Sequence, residues 1–304
     1  MTWLHRYARL LVCATLLLVA AGGMVTSTDS GLSVPDWPTT YGQSMFTFPF
    51  SRMVGGIFYE HGHRLIATTV GFLTIGLVVF LFVVEKRRWM RRLGLIALAA
   101  VIVQGVLGGL TVKYFLPPPI SIGHAGLAQI FFCLTISIAL FTSRGWRAPA
   151  QPAVDDAQLR RRAKWLVGLV YIQILLGATM RHTGAGLAIP DFPLMFGQLV
   201  PPHWTLPIAI HFAHRAGALV VTIACLLMAR DLWRRFGARP EFSRPAWILV
   251  CAVLTQVTLG ASVVLSGKDP VINTLHVATG AIVLGTSVLI ALRSHRVRFQ
   301  TVIA

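Results

Sequence analysis

Charge is scarce in this chain, and negative charge is scarcest. Only 12% of its 304 residues are charged, about half the share found in a soluble domain. Ten Asp and Glu stand against 27 Lys and Arg. Cysteine is rare as well. Cys13, Cys133, Cys225 and Cys251 all fall inside apolar runs, and the long polar connections at 29–59 and 184–206 contain none. That placement predicts neither a disulfide nor a zinc site; it reads as small apolar packing residues. An Arg- and Ser-rich amphipathic leader, the mark of a transit peptide, is also missing.

What fills the chain is hydrocarbon. Hydrophobic residues make up 55%, and the mean hydropathy is +0.71. Apolar runs of about 20 residues, each long enough to cross roughly 30 Å of hydrocarbon, stand at about 9–28, 62–84, 93–113, 121–142, 165–183, 207–229, 246–266 and 272–292. Helices satisfy their own backbone polar groups in lipid. The fold class predicted is therefore an all-α polytopic membrane protein with eight spans.

A net charge of +17 invites a nucleic-acid reading, but its distribution argues against one. Twenty-one of the 27 basic residues sit at the termini or in the connections around Arg87, Arg161 and Arg235, while Arg52, Lys113, Arg181 and Lys268 are alone in theirs. This is the positive-inside asymmetry. It places both termini in the cytoplasm of a bacterial-type plasma membrane, with basic clusters meeting anionic lipid. The N-terminus resembles a signal peptide, with His5, Arg6 and Arg9 before an apolar run. An internal repeat argues against cleavage, because the first span has an internal counterpart.

The repeat is explicit. Residues 31–43 read GLSVPDWPTTYGQ and residues 186–198 read GLAIPDFPLMFGQ, identical at seven of thirteen positions. Downstream, His63-Arg64 matches His214-Arg215, Gln104-x-x-Leu107-Gly108 matches Gln256-x-x-Leu259-Gly260, and His124 matches His276. Four spans are duplicated, so the repeats are parallel. The division expected is 1–145 and 163–304, two pseudo-symmetric four-helix halves, with 146–162 as a cytoplasmic linker.

Each repeated histidine stands 16 to 22 residues from the basic end of its span, a height of roughly 24–33 Å at about 1.5 Å per residue. All four therefore lie in the outer part of the membrane, one pair per half. A lone histidine at a helix end is usually an interfacial polar residue. Four of them, paired by a repeat and matched in depth, point to ligation of a haem iron by facing imidazoles. Gly105, Gly108, Gly109, Gly123 and Gly126, with Gly260, Ala261 and Gly280, offer flat surfaces for a ring or for helix contact. Arg64 and Arg215 follow their histidines and are candidates for propionate contact. His5, His182, His203 and His295 have no counterparts and read as solvated, and His61 reads as interfacial.

The halves differ beside the first pair. Glu60 lies three residues before His63, where the second half has His211. A carboxylate there suits proton transfer or stabilisation of a developing cation; a pair with Arg64 one turn on is equally good geometry. Asp36 and Asp191 in the Pro-Asp-aromatic-Pro loops read as turn residues. Trp37, Tyr41, Phe192 and Phe196 read as loop aromatics that cover the sites or line the interface.

Glu60-x-x-His63-Arg64, His124, His214-Arg215 and His276 on eight helices resemble the haem A synthase family. The resemblance implies oxidation of the C8 methyl of haem O to the formyl of haem A by successive hydroxylation, for cytochrome oxidase. It assigns His214 and His276 to a bound haem b, His63 and His124 to the iron of substrate haem O or product haem A, and Glu60 to catalysis. It also implies haem O synthase and an unidentified electron donor as partners, and it allows a homo-oligomer. One departure is the absence of cysteine from both outer loops, which removes any loop disulfide from the mechanism. Two other readings stay open: a di-haem electron-transfer cytochrome, and a haem transporter or chaperone.

Overall fold

Eight long helices form where the eight apolar runs stand. They are α1 (Trp3–Ser27), α2 (Gly56–Val84), α3 (Arg88–Lys113), α4 (Pro118–Thr142), α5 (Ala157–His182), α6 (Leu206–Phe236), α7 (Pro240–Leu265) and α8 (Pro270–Ser294). All eight are long and apolar enough to cross a membrane, so this is a multi-pass membrane protein. The computed structural model describes residues 3–147 and 154–301; part of the expected linker, 148–153, lies outside the described residues.

The helix starts carry their own signals. A proline occupies the first turn of α4, α6, α7 and α8, where its missing N–H has no helical partner to lose. Asp156 caps α5 by accepting the Leu159 N–H at 2.9 Å, and Asp269 caps α8 by accepting those of Val271 and Ile272 at 3.0 Å. The helices also run beyond the apolar runs. Helix α2 begins at Gly56 and α5 at Ala157, because backbone hydrogen bonding continues through polar residues that hydropathy counts as loop. Glu60, His61, His63 and Arg64 therefore lie inside α2 rather than at its mouth.

Each half closes as a ring. Neighbours in sequence pack together from α1 to α4, and α1 packs on α4; α5 to α8 do the same. The helices that close the rings also join them, through α1 on α8, α4 on α5 and α4 on α8. Helices α4 and α8 are consequently the most buried of the eight.

The two apolar cores share a level. One holds Leu4, Leu11, Leu77, Leu81, Met90, Phe131 and Ile138; the other holds Leu159, Leu166, Cys225, Leu232, Leu249, Leu284 and Ile290. All of these sit toward the end with the basic connections. Toward the other end, beneath the long loops, the buried side chains turn polar: Glu60, His61, Arg64 and His211. Dense apolar packing thus anchors the helices below and leaves the loop end for chemistry. Of the cysteines, Cys225 is buried in the second core, while Cys13 and Cys251 are exposed on helix surfaces.

Candidate functional site

The two long loops are built alike. Thr40 and Gln43 exchange backbone hydrogen bonds, as do Met195 and Gln198. Between them, Tyr41-Gly42 and Phe196-Gly197 take positive φ angles of 51°, 73°, 57° and 75°. This mirror-image turn favours glycine at both positions, and an aspartate supports the non-glycine one. Asp36 accepts the N–H groups of Tyr41 and Gly42 at 2.7 and 2.8 Å, and Asp191 those of Phe196 and Gly197 at the same distances. The turn role expected of both aspartates is what the structure shows. The Gly197 and Phe196 N–H groups hold the Asp191 carboxyl below the usual carboxylate range. Partial desolvation acts to raise the Asp36 carboxyl, but the Thr39 hydroxyl and the Gly42 and Tyr41 amides outweigh it and lower it too.

Arginines fasten these loops to the bundles. Arg64 donates to the carbonyls of Val34, Asp36 and Thr39 at 2.7–3.0 Å. Arg215 donates to those of Ile189, Asp191 and Leu194 at 2.8–3.1 Å, each at the repeat offset. The residue three before each histidine completes the clamp. Glu60 accepts the Val34 N–H at 2.7 Å and pairs with Arg64 at 2.6 Å. His211 sits between the same two groups, its Nδ1 3.2 Å from the Ile189 nitrogen and its Nε2 3.1 Å from the Arg215 Nε, and the neutral ring accepts from one of them. A carboxylate and an imidazole thus perform one structural task in the two halves. Each arginine has four of its five N–H groups engaged, which leaves one apiece for the propionate contact expected from sequence.

The four repeated histidines share a setting. Each packs against a glycine on the preceding helix of its ring. A Cβ added at Gly22, Gly108, Gly177 or Gly260 would stand 3.1, 3.1, 2.9 or 3.0 Å from Cε1 of His63, His124, His214 or His276. Glutamines one turn before three of these glycines reach the same histidines. Gln104 and Gln173 donate to the carbonyls of His124 and His214 at 3.0 and 2.8 Å. Gln256 Nε2 lies 3.3 Å from His276 Nε2. The fourth position is Leu18, so His63 alone lacks a glutamine.

The pairs suit an iron held on two faces. The rings of His214 and His276 have centroids 6.5 Å apart. One metal between two ring nitrogens, with bonds of about 2 Å, sets ring centres about 6 Å apart. Nδ1 of His63 and of His124 is buried without a hydrogen-bond partner. No cluster of three or more His, Cys, Asp or Glu exists among the described residues. Two imidazoles would supply two ligands to an iron, and a porphyrin, when bound, would supply the others. The residues present therefore fit haem.

Of the other histidines, His203 is exposed as expected, and the rest, including the part-buried His295, are more enclosed than expected. His61 is fully buried, with Nδ1 3.0 Å from Thr40 Oγ1 and its ring against Phe48; the loop folding back over α2 covers it. His5 is part-buried, 3.0 Å from the Ala139 carbonyl on α4, because α1 packs on α4. His182 ends α5 at the junction of the halves, within electrostatic range of His124. His203 is exposed and packs on Phe196. Of the glycines proposed as flat surfaces, Gly108 and Gly260 back histidines, while Gly126 meets Tyr171 and Leu175 across the junction. Gly22 and Gly177 were missed, although the repeat offset relates them.

Fold and site together define a duplicated eight-helix membrane protein with a glycine-backed histidine pair in the loop-side half of each bundle. The family model described as cytochrome oxidase assembly protein (COX15-CtaA) matches residues 5–288. The chain belongs to that family. A protein of Symbiobacterium thermophilum named "Heme A synthase" is 31% identical, over 86% of this chain and 85% of its own length. Proteins with the same name from Chelativorans sp. and Halalkalibacterium halodurans are 30% and 25% identical, over 93% and 89% of this chain and 88% and 90% of their own lengths.

Proposed function

We propose that the chain is a haem A synthase that oxidises the C8 methyl of haem O to the formyl of haem A. Two hydroxylations, each consuming one O2, two electrons from an outside donor and two protons and releasing one water, turn the methyl into a geminal diol, which loses a further water to leave the formyl. The observation that carries the reading is the doubled histidine pair, each imidazole set by a glycine, in a family whose relatives bear that name. His214 and His276 hold a resident haem b in the 163–304 half. His63 and His124 hold the substrate in the 1–145 half. Haem b, when bound, supplies one-electron chemistry.

The residues of the chain position and protonate. Dense apolar cores fix the helix axes, and the glycines set the imidazole planes. Arg64 and Arg215 close the loops over both pairs and exclude water. Glu60 is the carboxylate beside the substrate pair; held at both oxygens by Val34 and Arg64, it would accept or return a proton during the oxidation. The basic connections lie in the cytoplasm and the sites face the outer leaflet. The electron donor, and haem O synthase as the supplier of substrate, are partners outside this chain.

The test is expression in a host that makes haem O but not haem A, followed by mass spectrometry of extracted haems. Haem A or its hydroxylated precursor is expected. Only haem B and unaltered haem O, from folded haem-loaded protein, would overturn the reading. One observation favours a di-haem electron-transfer cytochrome in that event: His211 stands between the same loop amide and arginine as Glu60, so the carboxylate has a structural reason to be present.

A further inference from the structure

Arg181 is the arginine that the loop clamps do not explain. It lies in the last turn of α5, where the first half has Thr26. Its side chain does not point to lipid. It reaches across the junction of the halves and donates to Ser27 Oγ on α1 at 2.7 Å. Ser27 Oγ is in turn 3.3 Å from Thr274 Oγ1, two residues before His276 on α8. Among the described residues this is its one hydrogen bond, and no carboxylate lies within ion-pair distance of it. Asp29, its nearest counter-charge by electrostatics, is exposed at the loop end.

A part-buried guanidinium inside a membrane span, with one of five donors used, is costly unless an anion meets it. Arg64 and Arg215, by contrast, have four donors engaged each. The ligand that Arg181 calls for is anionic and close to His276, because its partner Ser27 lies against Thr274, two residues before that histidine. A carboxylate matches the guanidinium fork.

We propose that Arg181 binds a propionate carboxylate of the haem held by His214 and His276, across the junction between the two halves. The inference rests on the haem reading of that pair. Because Thr26 stands at the equivalent position, the second half alone has this anchor. That asymmetry suits a haem that stays, beside a first half whose haem must enter and leave.

The experiment compares full-length wild type, R181Q and R181K in detergent, by haem b content and redox titration of the bound haem. Removing the cation leaves the propionate uncompensated and favours the oxidised haem. R181Q is expected to lower the reduced-to-oxidised ratio at least tenfold at a given potential, a downward shift of about 59 mV for one electron, or to lose haem while keeping its helical circular dichroism. R181K, which keeps the charge but not the fork, is expected in between. Unchanged content and potential in R181Q would overturn the proposal. Should R181Q not accumulate, wild-type protein reconstituted with haem or its dimethyl ester gives the answer: the ester is expected to bind at least tenfold more weakly, and equal affinity overturns it. Absence of haem b from the wild type would instead overturn the haem reading itself.

Discussion

Gly177→Ala gives the sharpest test of how the histidines are set. The added Cβ would stand 2.9 Å from Cε1 and 3.4 Å from Nδ1 of His214. Carbon atoms settle at about 3.5–4.0 Å, so the imidazole must retreat by roughly 0.6 Å or more. A ligand constellation tolerates displacements of about 0.5 Å. Overpacking of this kind costs roughly 1–3 kcal/mol. Without bound haem the ring can turn away, and the helix gains about 1 kcal/mol from replacing glycine with alanine. The apoprotein should therefore be as stable as wild type or slightly more so, while haem b affinity falls roughly 5- to 150-fold at about 1.4 kcal/mol per tenfold. Absorbance of the purified protein, with thermal melts of the loaded and haem-depleted forms, separates the two effects. Gly168→Ala on the same helix has no neighbour within 4 Å of its added Cβ and should leave haem content unchanged. Full haem retention in Gly177→Ala, or equal loss in Gly168→Ala, would refute the reasoning.

Two further outcomes follow from the clamps. Glu60→His copies the second-half arrangement, in which His211 stands between a loop amide and an arginine, so the variant should fold and keep haem b. Its conversion of haem O should drop roughly 100-fold or more if the carboxylate transfers protons; wild-type turnover would leave Glu60 a structural role only. In the loops, the Gly197 and Phe196 amides hold the Asp191 carboxyl below its usual range. A lowered folded value means the stabilisation is full above about pH 3.9 and is lost as pH falls through that lower value, with no change toward alkaline pH. Hydrogen exchange at Phe196 and Gly197, referred to the intrinsic rate at each pH, should rise only on acidification, and D191N should exchange faster at neutral pH. Equal protection in D191N and wild type at neutral pH would remove the carboxylate from the account.

Much of this architecture was legible in the sequence because lipid imposes simple rules. A span needs a long apolar run, so eight helices could be read directly. The repeat then carried His63, His124, His214 and His276 from isolated residues to two pairs. What stayed hidden depends on where chains fold back. His61 and His211 are buried by the preceding loops, which fold back to bring Thr40 and Ile189 onto them from 21 and 22 residues away, and hydropathy gives no sign of that cover. His5 gains its neighbour because α1 closes the first ring on α4, and His182 because α5 lies at the junction of the rings. Gly22 and Gly177 could have been found from their common offset, but they sit on the helices that precede the histidines, and their role shows only once those helices pack. Arg64 and Arg215 were read as ligand contacts; their further role as loop fasteners shows only once the loops fold back onto α2 and α6. The two aspartates were legible because an Asp ahead of an aromatic-Gly turn bonds its own chain.

The central claim is a division of labour between the two histidine pairs. Haem extraction and mass spectrometry on His63→Ala, His124→Ala, His214→Ala and His276→Ala, each expressed in a host that makes haem O, test it most directly. The account predicts that the His214 and His276 variants lose the co-purifying haem b. The His63 and His124 variants should keep haem b and fail to produce haem A or its hydroxylated precursor. Loss of haem b from the His63 and His124 variants, or haem A formed at the wild-type level without them, would contradict it.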